Sequence, residues 1–227
     1  MINLQKFAGA SSIFEALIYI TAFVYFGAYW EYPSESSASE KMAYLAENQL
    51  TFSMVNFLMY VVFGIFLAVL VVGLHEKLKA TNDPIVKVGS AFGTVWVVLV
   101  IASGMLANVG LLHSINLMDL SSEKAFDMWR IISVLVESLG GGNELVGGLW
   151  VLLISFAALK AKAFPKGLNY LGLFVGASGI ATVYPEETLT EIFGITQIVW
   201  FTWLGISMIS QSDADSSTQL NTDTSAD

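Results

Sequence analysis

The chain has 227 residues, of which 55% are hydrophobic and only 13% are charged, and its mean hydropathy is +0.66. These values lie far outside the range of soluble domains and predict a membrane protein. The absence of cysteine excludes disulfides, thiolate metal sites and a cysteine nucleophile, and two histidines cannot form an all-histidine metal cage. The net charge of −9 lies mainly in loops and a tail, and no nucleic-acid partner is expected.

Apolar stretches long enough to cross a bilayer follow one another along the chain, since about 20 helical residues span the hydrocarbon core. Six stretches qualify, at about residues 8–30, 51–74, 85–112, 140–159, 168–184 and 191–209. The sequence therefore predicts an all-α, polytopic membrane protein, a bundle of six transmembrane helices. The first stretch exceeds the 7 to 15 apolar residues of a typical signal peptide and is expected to be retained. The last two are separated only by Pro185–Thr190, which predicts a tight antiparallel hairpin.

The distribution of lysine and arginine predicts the orientation, because these residues favour cytoplasmic loops. Three of the ten, Lys41, Lys124 and Arg130, lie on one side of the predicted membrane. The other side has Lys6, Lys77, Lys79, Lys87, Lys160, Lys162 and Lys166. Both termini are therefore predicted to be cytoplasmic.

Two segments outside the spans carry their own predictions. Residues 210–227 are rich in Ser, Thr and Asp and have no aromatic, Lys or Arg residue, so a disordered, acidic cytoplasmic tail is expected. The segment before the fourth span is amphipathic, with Ser121 or Ser122 as a helix N-cap. It is expected either to lie on the membrane or to continue as a long fourth helix.

Polar side chains inside the predicted spans concentrate in one layer, within roughly 5 to 9 Å of the outer boundary at 1.5 Å per helical residue. They are Asn56, Asn108, Asn143, Glu144 and Gln197. A carboxylate at this depth is expected to face the bundle interior or a wet cavity. Two interpretations stay open: a ligand-binding polar pocket open to the outside, or carboxamides that link helices by hydrogen bonds worth about 0.6 kcal/mol each.

The stretch VESLGGGNELVGGLW places three glycines between Glu137 and Glu144. A helix broken there would expose backbone groups beside Glu144, as at transporter substrate sites. A continuous helix would instead form a small-residue packing face, with Arg130, Glu137 and Glu144 at intervals of seven on one stripe. The glycines concerned are Gly140, Gly141, Gly142, Gly147 and Gly148.

Glu15 stands apart in the inner half of the first span, at least about 10 Å in depth from Glu144, so the two are not expected to form a dyad. It either relays protons or is neutral and hydrogen-bonded to a neighbouring helix. His75 and His113 are predicted on opposite sides of the membrane, which argues against bis-histidine haem. The sequence shows no nucleophile, metal cluster or acid–base pair, so no catalytic residue, metal or cofactor is predicted and an enzyme is disfavoured.

The last three predicted spans resemble a family of uncharacterised bacterial integral membrane proteins, a domain of unknown function. The resemblance rests on GGGNELVGGLWVLLISFAAL, FPKGLNYLGLFVGASGIAT and FGITQIVWFTWLGI, and is clearest over about residues 140–206. It implies a six-helix bundle in the bacterial plasma (inner) membrane and supplies no catalytic residues.

Two functional hypotheses follow for a protein embedded in the lipid bilayer. In the first, an outward-facing polar pocket around Glu144 binds or transports a small molecule. In the second, the chain is a non-catalytic structural or regulatory subunit that packs against a membrane-protein partner or a second copy through its glycine faces. A polar, water-accessible cavity at Glu144 favours the first, and a sealed interior with lipid-exposed glycines favours the second.

Overall fold

The computed structural model describes residues 3–141, 144–184 and 186–223, which form helices and no strands, as predicted for an all-α protein. The α-helices are α1 (Leu4–Ala28), α2 (Ala38–Glu47), α3 (Gln49–Asn56), α4 (Phe63–Leu78), α5 (Pro84–Asn116), α6 (Ser122–Val136), α7 (Leu145–Ala161), α8 (Lys166–Ala181) and α9 (Glu187–Asp223).

Two π-helical turns interrupt the longer helices. One, Phe57–Val62, joins α3 to α4, and the other, Glu137–Gly141, continues α6 toward α7. A π-helical turn inserts an extra residue into the helix and rotates the side chains that follow, and such turns are frequent at functional sites.

Among the described residues, five helical units are long and apolar enough to cross a membrane. They are Leu4–Ala28, Gln49–Thr81, Pro84–Asp119, Ser122–Ala161 and Thr188–Ala214. Helix α8 is not one of them, because its 16 residues extend only about 24 Å, less than the 30 Å of a typical hydrocarbon core. It nevertheless packs closely between α7 and α9.

The start of α1 and the part of α9 around Ser212 meet at one end of the bundle. The Asn3 side-chain amide donates a hydrogen bond to the Ser212 hydroxyl (2.5 Å), and Lys6 forms an ion pair with Asp213 (2.5 Å). At the same end, Lys160 at the end of α7 pairs with Asp83 (2.6 Å), the N-cap of α5. We call this the lysine end, because the seven predicted cytoplasmic lysines lie in the segments that meet there.

The opposite end, the cap end, is covered by α2 and α6. The sequence analysis did not predict α2, although Ser37 and Glu40 form a capping box that fixes its start. Its buried face contributes Met42 and Leu45 to an apolar cluster that also includes Phe52 of α3. Helix α6 is followed directly by the turn at Glu137–Gly141, so this segment leads toward the fourth predicted span but not as one unbroken helix.

The end of α9 differs from the prediction. Residues 210–227 are predicted to form a disordered tail; α9 extends into this range as far as Asp223, and residues 224–227 lie outside the described part of the chain. No proline or glycine follows Gly205, so nothing in the sequence breaks the helix. Its first turn past Ser210 is also held by tertiary contacts, including a hydrogen bond from the Gln211 side chain to the Ala163 carbonyl (3.1 Å).

A row of buried tryptophans occupies the centre of the bundle. The ring of Trp150 lies 5.6 Å from that of Trp96 and 5.8 Å from that of Trp200, measured between centroids. Gly93 and Gly147 leave room for this row, because an added Cβ at either would lie within 2.7 Å of an indole atom.

Candidate functional site

The helix containing the triple glycine is broken. Gly140 has φ 141° and ψ 17°, a conformation that favours glycine, and α7 starts afresh after Glu144. The backbone N–H of Glu144 donates a hydrogen bond to the Thr182 hydroxyl (2.8 Å), which ties this point to the end of α8. Of the two alternatives for Gly140, the structure therefore has the break. Gly141 ends the π-helical turn, whereas Gly142 lies outside the described residues.

The next two glycines are used for packing. A Cβ on Gly148 would lie 2.8 Å from the carbonyl oxygen of Gly176 and 2.7 Å from the nitrogen of Ile180, so α7 and α8 touch backbone to backbone. A Cβ on Gly147 would meet Trp96 at 2.6 Å. The helix break at Gly140 and the close packing at Gly147 and Gly148 therefore both occur in this stretch.

The break also separates the carboxylates that were predicted to share one stripe. Arg130 and Glu137 line a cavity at the cap end, whereas Glu144 lines a different cavity nearer the centre of the bundle. The predicted seven-residue stripe needs a continuous helix, and the π-helical turn and Gly140 remove that continuity.

The central cavity has a volume of about 420 Å³ and lies among α1, the first π-helical turn, α4, α5, α7 and α9. Glu144 lines it together with seven aromatic residues, among them Tyr19, Tyr60, Phe63 and Trp96. Gly27, Thr190 and Glu191 also line it; they lie near the end of α1 and the start of α9, away from the lysine end. Its volume falls within the range of small-molecule sites, about 300 to 1,000 Å³.

The Glu144 carboxyl group is the main polar feature of this cavity. Its Oε2 atom is buried and has no hydrogen-bond partner among the described residues. The Trp96 indole N–H lies next to the carboxyl group and is likewise buried, without a hydrogen bond of regular geometry. Leaving a buried polar group without a partner costs about 1–3 kcal/mol, and a ligand in the cavity could supply the missing partner.

Two tyrosines connect Glu144 with other acidic residues. Tyr19 interacts electrostatically with both Glu144 and Glu15, and Tyr60 with both Glu144 and Glu137. Tyr60 belongs to the first π-helical turn, whose side chains are displaced from the regular helical positions. Tyr19 and Glu15 lie one turn apart on α1, so a phenol stands between the two carboxyl groups that the sequence analysis separated by depth.

Glu15 lies on α1 and Gln197 on α9, two helices that pack against each other, and neither residue lines the central cavity. Both are fully buried, and neither side chain has a hydrogen-bond partner among the described residues. Antiparallel packing brings Gly9 against Gly205, and counting 1.5 Å per residue from there puts Gln197 within about 3 Å of Glu15 in height. Gln197 therefore lies deeper than the layer predicted for it.

The cavity at the cap end has a volume of about 560 Å³ and is lined by Asn56, Arg130 and Glu137, among others. It shares Phe26, Met59 and Tyr60 with the central cavity. These three side chains therefore form the wall between the two spaces.

The predicted polar layer is divided by the structure. Of its described members, only Glu144 lines the central cavity, while Asn56 lines the neighbouring one. Asn108 links helices, since its side-chain amide donates to the Ser53 carbonyl (3.2 Å), as the second interpretation of the carboxamides expected. Asn143 lies outside the described residues.

Four residues at or beside the central cavity were not predicted from the sequence. They are Tyr19, Tyr60, Trp96 and Thr182. The two tyrosines carried a usable signal, because tyrosine usually places its hydroxyl at the membrane interface, and both lie well inside predicted spans. Nothing in the sequence marks Trp96 or Thr182. Each lies beside Glu144 only because α7 packs against the helices that carry them.

Among the residues that the structure describes, no group of three His, Cys, Asp or Glu side chains could hold a metal ion. The chemistry available in the central cavity is therefore that of two carboxyl groups, Glu144 and Glu191, with two phenols and an indole in aromatic surroundings. Comparisons with protein-family models, with curated proteins and with solved structures find no match for this chain.

Proposed function

We propose that this chain is a six-span protein of the bacterial plasma membrane that binds a small molecule in the central cavity and passes it to or from the outside. The observation that carries the proposal is the buried, unpaired carboxyl oxygen of Glu144 in a cavity of about 420 Å³. Helix α8 serves as the sixth span in this proposal, since it is short but buried between two long helices.

The position of the cavity supports an outward opening. Thr190 and Glu191 lie near the start of α9, whereas Asp213 of the same helix is paired with Lys6 at the lysine end. Lysine-rich loops favour the cytoplasm, so the side of the cavity with Thr190 faces outward in this proposal. Both termini are then cytoplasmic.

The alternative function, a non-catalytic subunit that packs through glycine faces, has less support. Gly148, Gly176 and Gly179 face one another across α7 and α8, and Gly9 faces Gly205 across α1 and α9. These glycines are used in contacts within the chain. A partner protein or a second copy would have to bind elsewhere.

Substituted-cysteine labelling tests access to the cavity, because the chain has no cysteine of its own. Ala22 lines the cavity, whereas Ala158 is buried in the apolar core and provides the matched control. In intact spheroplasts, a membrane-impermeant maleimide is expected to label Ala22→Cys and to leave Ala158→Cys unlabelled. Failure to label Ala22→Cys, or equal labelling of both, would overturn the proposal.

Reporter fusions test the orientation. Green fluorescent protein fused after Gln211 is expected to fluoresce, and alkaline phosphatase at the same point is expected to be inactive. Active phosphatase there would place the lysine end outside and turn the cavity toward the cytoplasm.

A further inference from the structure

The charged side chains described around the central cavity are all acidic. Glu144 and Glu191 line it, and no lysine, arginine or histidine does so among the described residues. No ion pair found in the described part of the chain includes Glu144. Apolar surroundings favour the neutral form of an unpaired carboxyl group, and the described residues supply no positive partner, so a bound cation would stabilise the ionised form of Glu144.

The walls of the cavity favour the same kind of ligand. Seven of its seventeen lining residues are aromatic, and the faces of Tyr, Trp and Phe rings attract cations within about 6 Å of the ring centre. Tyr19 and Tyr60 line the same cavity as Glu144, so aromatic rings and the carboxyl group share the space that a ligand would occupy.

A metal cation does not fit these walls. Calcium needs six to eight oxygen ligands and magnesium about six. The described residues contain no group of three acidic or histidine side chains, and the rest of the lining is mainly aromatic and aliphatic. The combination of one deep carboxylate with aromatic rings instead suits an organic cation that carries an apolar substituent.

We propose that the central cavity binds a small organic cation, an amine or quaternary ammonium with an apolar substituent. Its positive group lies at the Glu144 carboxylate, and its apolar part lies against Phe63, Trp96 and the neighbouring rings. This inference rests on the proposed ligand-binding function and adds the chemical class of the ligand.

The test compares thiol reagents of opposite charge at Ala22→Cys in the full-length protein. The reagents are 2-(trimethylammonium)ethyl methanethiosulfonate and its anionic sulfonatoethyl counterpart. Each rate is divided by the rate at Ser39→Cys, an exposed position on α2 at the cap end. We expect the cationic reagent to be favoured at Ala22→Cys by about tenfold or more, and Glu144→Gln to remove most of this preference. Glu15→Gln, outside the cavity, is expected to leave it unchanged.

A protection experiment adds a ligand-sized probe. Benzyltrimethylammonium is expected to slow modification of Ala22→Cys by a neutral maleimide, and phenylmethanesulfonate at the same concentration is not. Glu144→Gln should abolish the protection.

The outcomes separate the two proposals. If neither charged reagent nor the neutral maleimide reaches Ala22→Cys, the cavity is closed and the proposed function fails. If the reagents reach it with equal normalised rates and neither probe protects, or if the anionic probe protects, the cavity remains but its assignment to organic cations is overturned.

Discussion

The Glu144 backbone and the Thr182 side chain are joined by a hydrogen bond of 2.8 Å, and the Thr182 hydroxyl in turn donates to the Gly179 carbonyl at 2.7 Å. Thr182 is buried at the end of α8, so this relay fixes the residue that precedes α7 against its neighbour. The position of the Glu144 carboxyl group in the central cavity therefore depends on a residue that does not line the cavity.

Replacing Thr182 with valine keeps the shape of the side chain but removes the hydroxyl. The Glu144 N–H then loses its partner in a buried place, so we expect a loss of about 1–3 kcal/mol in the free energy of unfolding. Thermal unfolding in detergent measures it. Thr196→Val is the matched control, because the Thr196 hydroxyl bonds only to carbonyls of its own helix. Thr182→Ser keeps the hydroxyl and should retain most of the wild-type stability. Equal losses of stability in Thr182→Val and Thr196→Val would contradict the role of the hydrogen-bond relay.

Glu144 and Glu15 should both be unfavourable for folding, because each has a buried carboxyl oxygen without a partner. Methionine has a similar length and no polar group, so Glu144→Met and Glu15→Met are each expected to raise the unfolding temperature, by an amount equivalent to about 1 kcal/mol or more. The two differ in function. Only Glu144→Met should remove the protection by benzyltrimethylammonium. A fall in stability in Glu144→Met would show that the carboxyl has a structural partner.

The sequence predicted the all-α class because long apolar runs favour helices that can cross a membrane. Five such helices are present among the described residues, and the Ser121 cap was also predicted. The carboxamide layer was less predictable, since counting along straight helices assumes a regular rotation. The π-helical turns at Phe57–Val62 and Glu137–Gly141 change that rotation, so Asn56 and Glu137 face one cavity and Glu144 another.

Replacing Gly140 or Gly148 with alanine should destabilise the protein, but for a different physical reason at each position. Gly140 has open space around its missing Cβ but φ 141°, so Gly140→Ala is expected to cost about 1–3 kcal/mol through backbone strain alone. Gly148 has ordinary helical geometry, but its Cβ would lie 2.7–2.8 Å from the backbone of α8, so Gly148→Ala should force the two helices apart. Gly27→Ala, with nothing within 4 Å, is the control and should not destabilise. Chemical denaturation of the three variants distinguishes these effects, and equal stabilities would contradict both arguments.

The ion pair between Asp83 and Lys160 lies at the lysine end and should make the free energy of unfolding depend on pH. The hydrogen bond from Lys160, followed by the one from the Ile85 N–H, lowers the pKa of Asp83 below its ordinary value of 3.8. A lowered pKa in the folded state means that the contribution is fully present above the ordinary value and is lost as pH falls through the lowered one. Asp83→Asn keeps the cap but removes the charge. Its unfolding temperature is therefore expected to be below that of the wild type at pH 7 and to approach it at about pH 3. A constant difference across this range would rule out the ion pair as the cause.

The turn of α9 that follows Ser210 makes contacts that the sequence did not suggest, and these contacts should stabilise the bundle. Gln211 bonds to the Ala163 carbonyl at the start of the α7–α8 connection, and Asp213 pairs with Lys6 at the start of α1. A chain that ends after Ser210 loses both, together with the hydrogen bond between Asn3 and Ser212. It should therefore unfold at a lower temperature than a chain that ends after Ala214, which keeps all three. Gln211→Ala combined with Asp213→Ala in the full-length protein should reproduce most of the loss. If the two truncated chains are equally stable, these contacts do not hold the helix, and the bundle needs nothing beyond Ser210.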